Sequence, residues 1–190
     1  MAVYTKISKK DISYINSKFD MEELISFQGI KQGIENTNYL LKSKKNKFIL
    51  TIFEKRVSNK ELPFFMQLMQ ILNHYKINCP KPIKNNKGGY LINLKNKKAC
   101  IVTFLEGKDK KNLNIKNCFE IGKIIARMHS ITKNIKLYRK NSMGISNLNP
   151  LLKLIMLKSK KFNYLEKFLK DNLNNVKKKW PKNLPKGVIH

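Results

Sequence analysis

The chain has 190 residues, of which 42% are hydrophobic, enough to bury one core or two small ones. Its net charge of +28, from 40 Lys and Arg residues against 12 Asp and Glu, is of the kind that usually indicates a nucleic-acid or anionic-membrane partner. Only Arg56, Arg127 and Arg139 are arginines, however, and base recognition favours arginine's planar fork, so we expect a solvated lysine surface and no specific nucleic-acid partner.

The amino terminus carries no apolar leader and is predicted to begin a short helix. Residues 1–6 lack the apolar stretch of a secretory signal, and no window approaches the roughly 18 apolar residues of a membrane span. We therefore expect a cytoplasmic protein without a membrane partner.

Ser8 and Asp11 have capping-box spacing, and Ile12, Ile15 and Phe19 then recur on one face, which predicts a short amino-terminal helix.

Residues 24–53 have the pattern of three antiparallel strands. Apolar runs at 25–30, 39–41 and 48–53 are separated by polar stretches rich in Gly, Asn and Lys. Short connections of this kind join antiparallel neighbours, whereas parallel strands need a long crossover.

A helix and then a hairpin are predicted after the third strand. Ser58 and Glu61 form a second capping-box pattern, Pro63 is tolerated in a first helical turn, and an apolar stripe follows. These signals predict a helix over roughly residues 61–75. Two further apolar runs, 90–94 and 99–105, flank a Lys/Asn turn. Residues 1–105 are thus expected to form an α+β lobe: an amino-terminal helix and a five-stranded antiparallel sheet with one inserted helix.

From residue 106 onward the pattern is mainly helical. The polar run 106–111 marks the expected lobe boundary. Asn117 and Glu120 have the spacing of a helix cap and its third position, and a longer apolar stripe runs from Phe162 to Trp180. The chain closes on an apolar run at His190, so we expect residues 106–190 to be a hinge and a partial helical lobe.

The turn between the first two strands is the candidate phosphate-binding loop. The predicted elements have the order of a kinase-like fold: a strand, a glycine-containing turn, two strands, a helix, a hairpin and a helical lobe. There the turn presents backbone N–H groups to ATP. An ordinary hairpin turn would use the same residue types. The predicted ATP-binding residues of this turn are Gly33, Ile34, Glu35, Asn36, Thr37 and Asn38.

Six sequence blocks carry a family resemblance. They are GIENTNYLL, FILTIFEKRV, LPFF, IVTFLEG, IARMH and WPKNLPKGVIH, beginning at residues 33, 48, 62, 101, 125 and 180. Each block is modest by itself. Together, and in this order, they resemble bacterial homoserine kinases of the aminoglycoside-phosphotransferase-like class, with a protein-kinase-like fold, over the whole chain.

The resemblance implies a specific reaction. A homoserine kinase uses ATP and Mg²⁺ to phosphorylate the side-chain hydroxyl of L-homoserine, a step of threonine biosynthesis. In that family the last block leads into the catalytic loop, so His190 would be its first position. The catalytic Asp and the metal ligands would follow it, and the 190-residue chain by itself is expected to be inactive. The predicted adenine-binding hinge consists of Thr103, Phe104, Leu105 and Glu106.

The third strand departs from the general kinase pattern. A Lys for the α- and β-phosphates is expected where residues 48–51 are Phe-Ile-Leu-Thr. Lys55 or Arg56 at the strand end could supply this charge, or could be a solvated basic pair. Phe65 stands near the expected position of the partner Glu, so the usual Lys–Glu ion pair is not predicted.

Three alternatives remain open at this point. A kinase of the same fold that acts on an aminoglycoside or choline would share this part of the chain, because substrate choice is made in the second lobe. A basic nucleic-acid-binding protein would gather its lysines on one face. The chain could also be a folded remnant without activity.

Overall fold

The computed structural model describes residues 3–55, 57–141, 144–158, 164–184 and 187–188. They form two compact units, one of residues up to 137 together with residue 188, and one of residues 138–187. The lobe boundary at residue 106 stays a prediction. The helices are α1 (Lys9–Lys18), α2 (Leu62–His74), α3 (Ile115–Thr132), α4 (Ile145–Lys158) and α5 (Glu166–Lys179), and the strands are β1 (Ser26–Gly29), β2 (Thr37–Lys42), β3 (Lys47–Ile52), β4 (Leu91–Leu94) and β5 (Lys97–Thr103).

The first unit is built on a single five-stranded antiparallel sheet. Its strand order is β1-β2-β3-β5-β4, with α2 inserted between β3 and β4 in the chain. The predicted α+β architecture is therefore confirmed, and α2 lies within the range 61–75 predicted for it. Thr37 pairs with Ile52 at one end of β3, and Phe48 pairs with Thr103 at the other.

The sheet buries a different cluster on each face. Alternation along β3 places Phe48, Leu50 and Ile52 in a cluster with the apolar side of α1. Ile49 points to the opposite face, where it packs on a second cluster that contains Met66 of α2. The two helices thus cover opposite faces of one sheet.

Capping interactions fix where the helices begin. Ser8 caps α1 in a capping box with Asp11, as predicted. Ser58 and Glu61 form the second predicted box, around a single 3₁₀ turn that leads into α2. The cap predicted at Asn117 is wrong: Asn114 caps α3, and Asn117 takes the third position that had been assigned to Glu120. An Asn amide can fill that position because it both donates and accepts hydrogen bonds.

The β4–β5 hairpin closes through a two-residue turn. Lys95 and Asn96 both have positive φ, 51° and 59°, as a type I′ turn requires. This tight turn places Lys97 at the first position of β5. Lys95 forms an ion pair with Asp11 at the start of α1, with 3.2 Å between Nζ and Oδ2.

The second unit contains α4 and α5. The apolar stripe predicted to end near Trp180 corresponds to α5, whereas Phe162 lies outside the described residues. The sequence did not predict the bounds of α4, which contains Pro150. Among the helices that the structure describes, none is both long enough and apolar enough to cross a membrane.

Candidate functional site

The glycine-containing turn lies at one end of the sheet and is mostly exposed. Ile30 N–H donates to the Asn38 carbonyl at 2.9 Å and closes the hairpin below it. Residues 31–35 are exposed, and Asn36 is half-buried. Gly33 has φ of 99°, and no heavy atom lies within 4 Å of where its Cβ would be. A glycine is therefore favoured here by backbone conformation rather than by space.

A buried hydroxyl anchors the amino-terminal segment at the base of the turn. Thr37, the first residue of β2, is fully buried. Its Oγ1 accepts the backbone N–H groups of Tyr4 and Thr5, at 3.0 and 3.1 Å. The same hydroxyl donates to Glu54 Oε1 at 2.6 Å. The predicted site residue Thr37 thus has its hydroxyl engaged within the protein.

Glu54 is the centre of this network. It follows β3 and accepts hydrogen bonds from Thr37, from Thr5 Oγ1 at 2.7 Å and from the ammonium of Lys97, with which it forms an ion pair. Its backbone N–H donates to Asn36 Oδ1 at 3.3 Å. Burial by itself acts to raise the pKa of the Glu54 carboxyl, but the hydrogen bonds from Lys97 and the two threonines, with the charge of Lys97, together lower it.

Thr51 is the last residue of the third-strand stretch 48–51, in which a kinase Lys was expected. It pairs with Asn38 across β2 and β3, and its hydroxyl donates to Asn38 Oδ1 at 2.8 Å. Phe65 packs against the buried cluster under α2. This position therefore provides a neutral hydrogen-bonded pair where the general kinase pattern has a cation.

Lys55 lies beside the turn. It lines an open cleft of about 520 Å³. The other residues that line this cleft are Tyr4, Ile34, Glu35, Glu54 and Lys97. Arg56, the other candidate for a phosphate contact, lies outside the described residues, as does His190. The structure therefore brings one predicted cation close to the predicted loop.

The predicted hinge leaves β5 at the opposite end of the sheet. Thr103 N–H donates to the Lys81 carbonyl at 3.0 Å, and Thr103 Oγ1 accepts from Lys81 N–H at 2.9 Å. Phe104 N–H donates to the Lys47 carbonyl at 3.2 Å. The Lys47 ammonium lies 2.7 Å from Glu106 Oε1 and 5.4 Å from the centre of the Phe104 ring. The start of β3 thus holds the beginning of the hinge.

The two predicted groups lie at opposite ends of the sheet. We call the end with residues 31–36, Glu54 and Lys97 the turn end, and the end with Lys47 and residues 103–106 the hinge end. The strand positions that pair with them are four residues apart on β3, about 13 Å at the rise of a strand. Within the described ranges, no group of three or more His, Cys, Asp or Glu residues is placed to hold a metal ion.

Sequence reasoning missed four residues of the turn end. Tyr4, Thr5, Glu54 and Lys97 come from three separate parts of the chain. Glu54 lies in the block FILTIFEKRV, but nothing in that block marks it as the partner of the other three residues. The tight turn at Lys95 and Asn96 determines where Lys97 enters the sheet. It is therefore the local feature that comes nearest to indicating the position of Lys97.

The sequence of the chain matches a known protein family and several curated relatives. A model of the phosphotransferase enzyme family matches residues 26–190. A homoserine kinase from Bradyrhizobium diazoefficiens is 38% identical over 192 residues, covering all of this chain and 59% of the relative. One from Bartonella tribocorum is 37% identical, covering all of this chain and 60% of the relative. The chain thus spans about three fifths of the length of these curated relatives.

Solved structures agree on the fold. Spectinomycin phosphotransferase in complex with ADP and spectinomycin matches 94% of this chain and 60% of its own, with a TM-score of 0.63 and 14% identity. An amicoumacin kinase bound to AMP-PNP and Ca²⁺ matches 94% of this chain and 55% of its own, with a TM-score of 0.62 and 15% identity. At such low identity this likeness shows the kinase-like fold alone. With the family model matching most of its length, the chain belongs to the phosphotransferase enzyme family.

Proposed function

We propose that this chain is part of an ATP-dependent homoserine kinase. The side-chain hydroxyl of L-homoserine attacks the γ-phosphorus of ATP, the bond from that phosphorus to the β–γ bridging oxygen breaks, and O-phospho-L-homoserine and ADP are formed. The observation that carries this proposal is that homoserine kinases align with the whole chain at 36–38% identity. The whole-chain alignment favours L-homoserine, because fold alone does not determine the substrate of a kinase.

The hinge end is the proposed adenine site. An adenine edge offers an amino donor and a ring-nitrogen acceptor, which a backbone C=O and N–H can match. Phe104 N–H already donates to Lys47, so Phe104 would contribute its carbonyl. Leu105 has no hydrogen-bond partner among the described residues, which leaves its N–H for the ring nitrogen.

The turn end is the proposed phosphate site. Backbone N–H groups of residues 33–38 would contact the phosphates, because successive amides of a glycine-containing turn can surround an anion. Since Thr51 carries no charge, Lys55 is the described cation best placed to offset the phosphate charge, beside the turn in the same open cleft. Arg56 is a second candidate.

The Mg²⁺ implied by the family would need oxygen ligands, chiefly carboxylates. The described residues contain no acidic cluster, so they do not fit that role. The amicoumacin kinase structure contains both AMP-PNP and Ca²⁺, which supports a divalent cation in this fold. We assign this chain a role in binding nucleotide, and assign its metal ligands to none of its described residues.

A kinase for another small molecule is the second candidate. The structure of spectinomycin phosphotransferase, whose complex contains ADP and spectinomycin, covers 94% of this chain. Its 14% identity is far below the 38% of the Bradyrhizobium relative, and divergence of that size is common between kinases with different substrates. L-homoserine is therefore the first substrate to test.

The test compares the 190-residue chain with an extended form, in which the carboxy-terminal part of the Bradyrhizobium homoserine kinase continues it. We expect the extended form to release ADP with L-homoserine, and the short chain to release none. ADP release with spectinomycin or choline but not with L-homoserine would contradict the proposed substrate. Turnover by the short chain would show that its own residues suffice for catalysis. A cooperative urea-denaturation transition in both forms serves as the control for folding.

A further inference from the structure

The glycine-containing turn is exposed to solvent over most of its length. The hydrogen bond from Ile30 N–H to the Asn38 carbonyl closes the turn at its base. Beyond that bond, residues 31–35 are all exposed, and Ile34 at the tip is 82% exposed. A segment with so little burial samples many conformations unless something outside it holds it. A loop that binds phosphate through its backbone must instead keep its amides in one arrangement, because ordering on binding lowers affinity.

The Tyr4 side chain, which lies outside the turn, reaches the tip of the turn. The hydroxyl of Tyr4 donates to the carbonyl of Ile34 at 3.0 Å, across 30 positions of sequence. The Tyr4 side chain is 54% exposed, so this contact adds little to the core. It links the amino-terminal segment directly to the peptide group between Ile34 and Glu35.

The amino-terminal segment is itself firmly held, so Tyr4 is a fixed support. The backbone N–H groups of Tyr4 and Thr5 are bound by the buried Thr37 hydroxyl. The hydroxyl of Tyr39, also buried, donates to the Thr5 carbonyl at 3.0 Å and accepts from Ile7 N–H at 3.2 Å. Four backbone groups within residues 4–7 thus have partners in β2.

Fixing the Ile34 carbonyl also fixes an amide. The peptide group is planar and trans, so its N–H points opposite to its C=O. With the carbonyl held by Tyr4, the N–H of Glu35 is directed away from the amino-terminal segment. A single hydroxyl therefore sets the orientation of one of the amides in the candidate phosphate loop.

We propose that Tyr4 is a positioning residue, which holds the turn 31–36 in the conformation that binds the phosphate chain of a nucleoside triphosphate. The inference rests on the proposed function for the identity of the ligand. Tyr4 acts through the Ile34 carbonyl and not by contact with the nucleotide. Its effect is confined to the phosphate part of binding, because the hinge end is held separately by Lys47.

The test replaces Tyr4 by Phe, which removes only the hydroxyl. Calorimetric titrations of the 190-residue chain with ATP and with adenosine separate the phosphate contribution from the base contribution. We expect Tyr4→Phe to weaken ATP binding about 3- to 10-fold, as for one lost hydrogen bond, and to leave adenosine binding unchanged. The matched control is Tyr14→Phe on α1, because the structure shows no hydrogen bond of the Tyr14 hydroxyl within its described residues, and its ring lies under Lys18.

Amide hydrogen exchange of residues 31–36 gives a second measurement that needs no nucleotide. Exchange there should rise several-fold in Tyr4→Phe and not in Tyr14→Phe. Unchanged exchange together with unchanged ATP affinity overturns the proposal, and so does an equal loss of ATP and adenosine affinity, which indicates general destabilisation. If the unsubstituted chain binds neither ligand, the proposed function fails, and the exchange data alone decide whether Tyr4 orders the turn.

Discussion

The two ends of the sheet contain the same pair of residue types in mirrored positions. At the turn end, Lys97 begins β5 and Glu54 follows β3, whereas at the hinge end Lys47 begins β3 and Glu106 follows β5. The pairs differ in burial. The Glu54 and Lys97 side chains are 10% and 33% exposed, but those of Glu106 and Lys47 are 75% and 45% exposed.

The pairs also differ in their other partners. Glu54 accepts from two threonine hydroxyls besides Lys97, so its charge is surrounded by donors from three segments of the chain. Among the described residues, Glu106 has Lys47 as its only hydrogen-bond partner. Buried, fully satisfied charges fix local structure, whereas exposed pairs contribute little. The base of the turn, around Glu54, should therefore be the more rigid end of the sheet and the hinge end the adaptable one.

The largest effect expected from this comparison is at Glu54. In Glu54→Gln the amide keeps one acceptor for the threonine hydroxyls but places an N–H₂ group near the Lys97 ammonium. We expect a loss of about 1.5–3 kcal/mol in the free energy of unfolding at neutral pH, the range for hydrogen bonds to a charged group. Urea denaturation measures it, and a loss below about 0.5 kcal/mol, the level of an ordinary surface substitution, would contradict the special role of this end.

The same substitution predicts a pH dependence. Because the folded-state pKa of Glu54 lies below its ordinary value of 4.5, its contribution is fully present above pH 4.5 and is lost as the pH falls through the folded-state pKa. The stability gap between the unsubstituted chain and Glu54→Gln should thus be constant from neutral pH to about 5, and should narrow below 4.5. Asp11 and Glu22, whose pKa values are also lowered, are present in both proteins and cancel in the difference. A constant gap down to the acid transition would show that the Glu54 charge contributes nothing.

The local parts of the fold could be predicted because their signals are local. The apolar run 48–53 between polar stretches indicated β3, and the spacing of Ser8 and Asp11 indicated where α1 begins. The cap of α3 was misplaced because Asn114 and Asn117 are both good cap residues, and only the structure distinguishes them.

The turn-end network could not be predicted because its contacts connect distant positions. Thr5 and Glu54 are 49 residues apart, and Thr5 and Lys97 are 92 apart. In a sequence with 40 basic residues, nothing marks Lys97 as the one that pairs with Glu54. The candidate turn was visible from its glycine, but the residues that hold it became visible only with the sheet register.

The smallest effect is expected at the hinge end, from Glu106→Gln. After this charge is removed, the Lys47 ammonium is still half-exposed to water and still lies over the Phe104 ring. Neither Lys47 nor residue 106 is then a buried polar group without a partner. The backbone bond from Phe104 N–H to the Lys47 carbonyl does not involve the side chain and should remain. We expect the free energy of unfolding to change by less than about 0.5 kcal/mol, and by still less at high salt, since an exposed pair is screened. Urea denaturation at low and high salt, beside Glu54→Gln under the same conditions, measures the contrast directly. If Glu106→Gln were as destabilising as Glu54→Gln, burial could not be what distinguishes the two ends, and the hinge would have to be regarded as equally rigid.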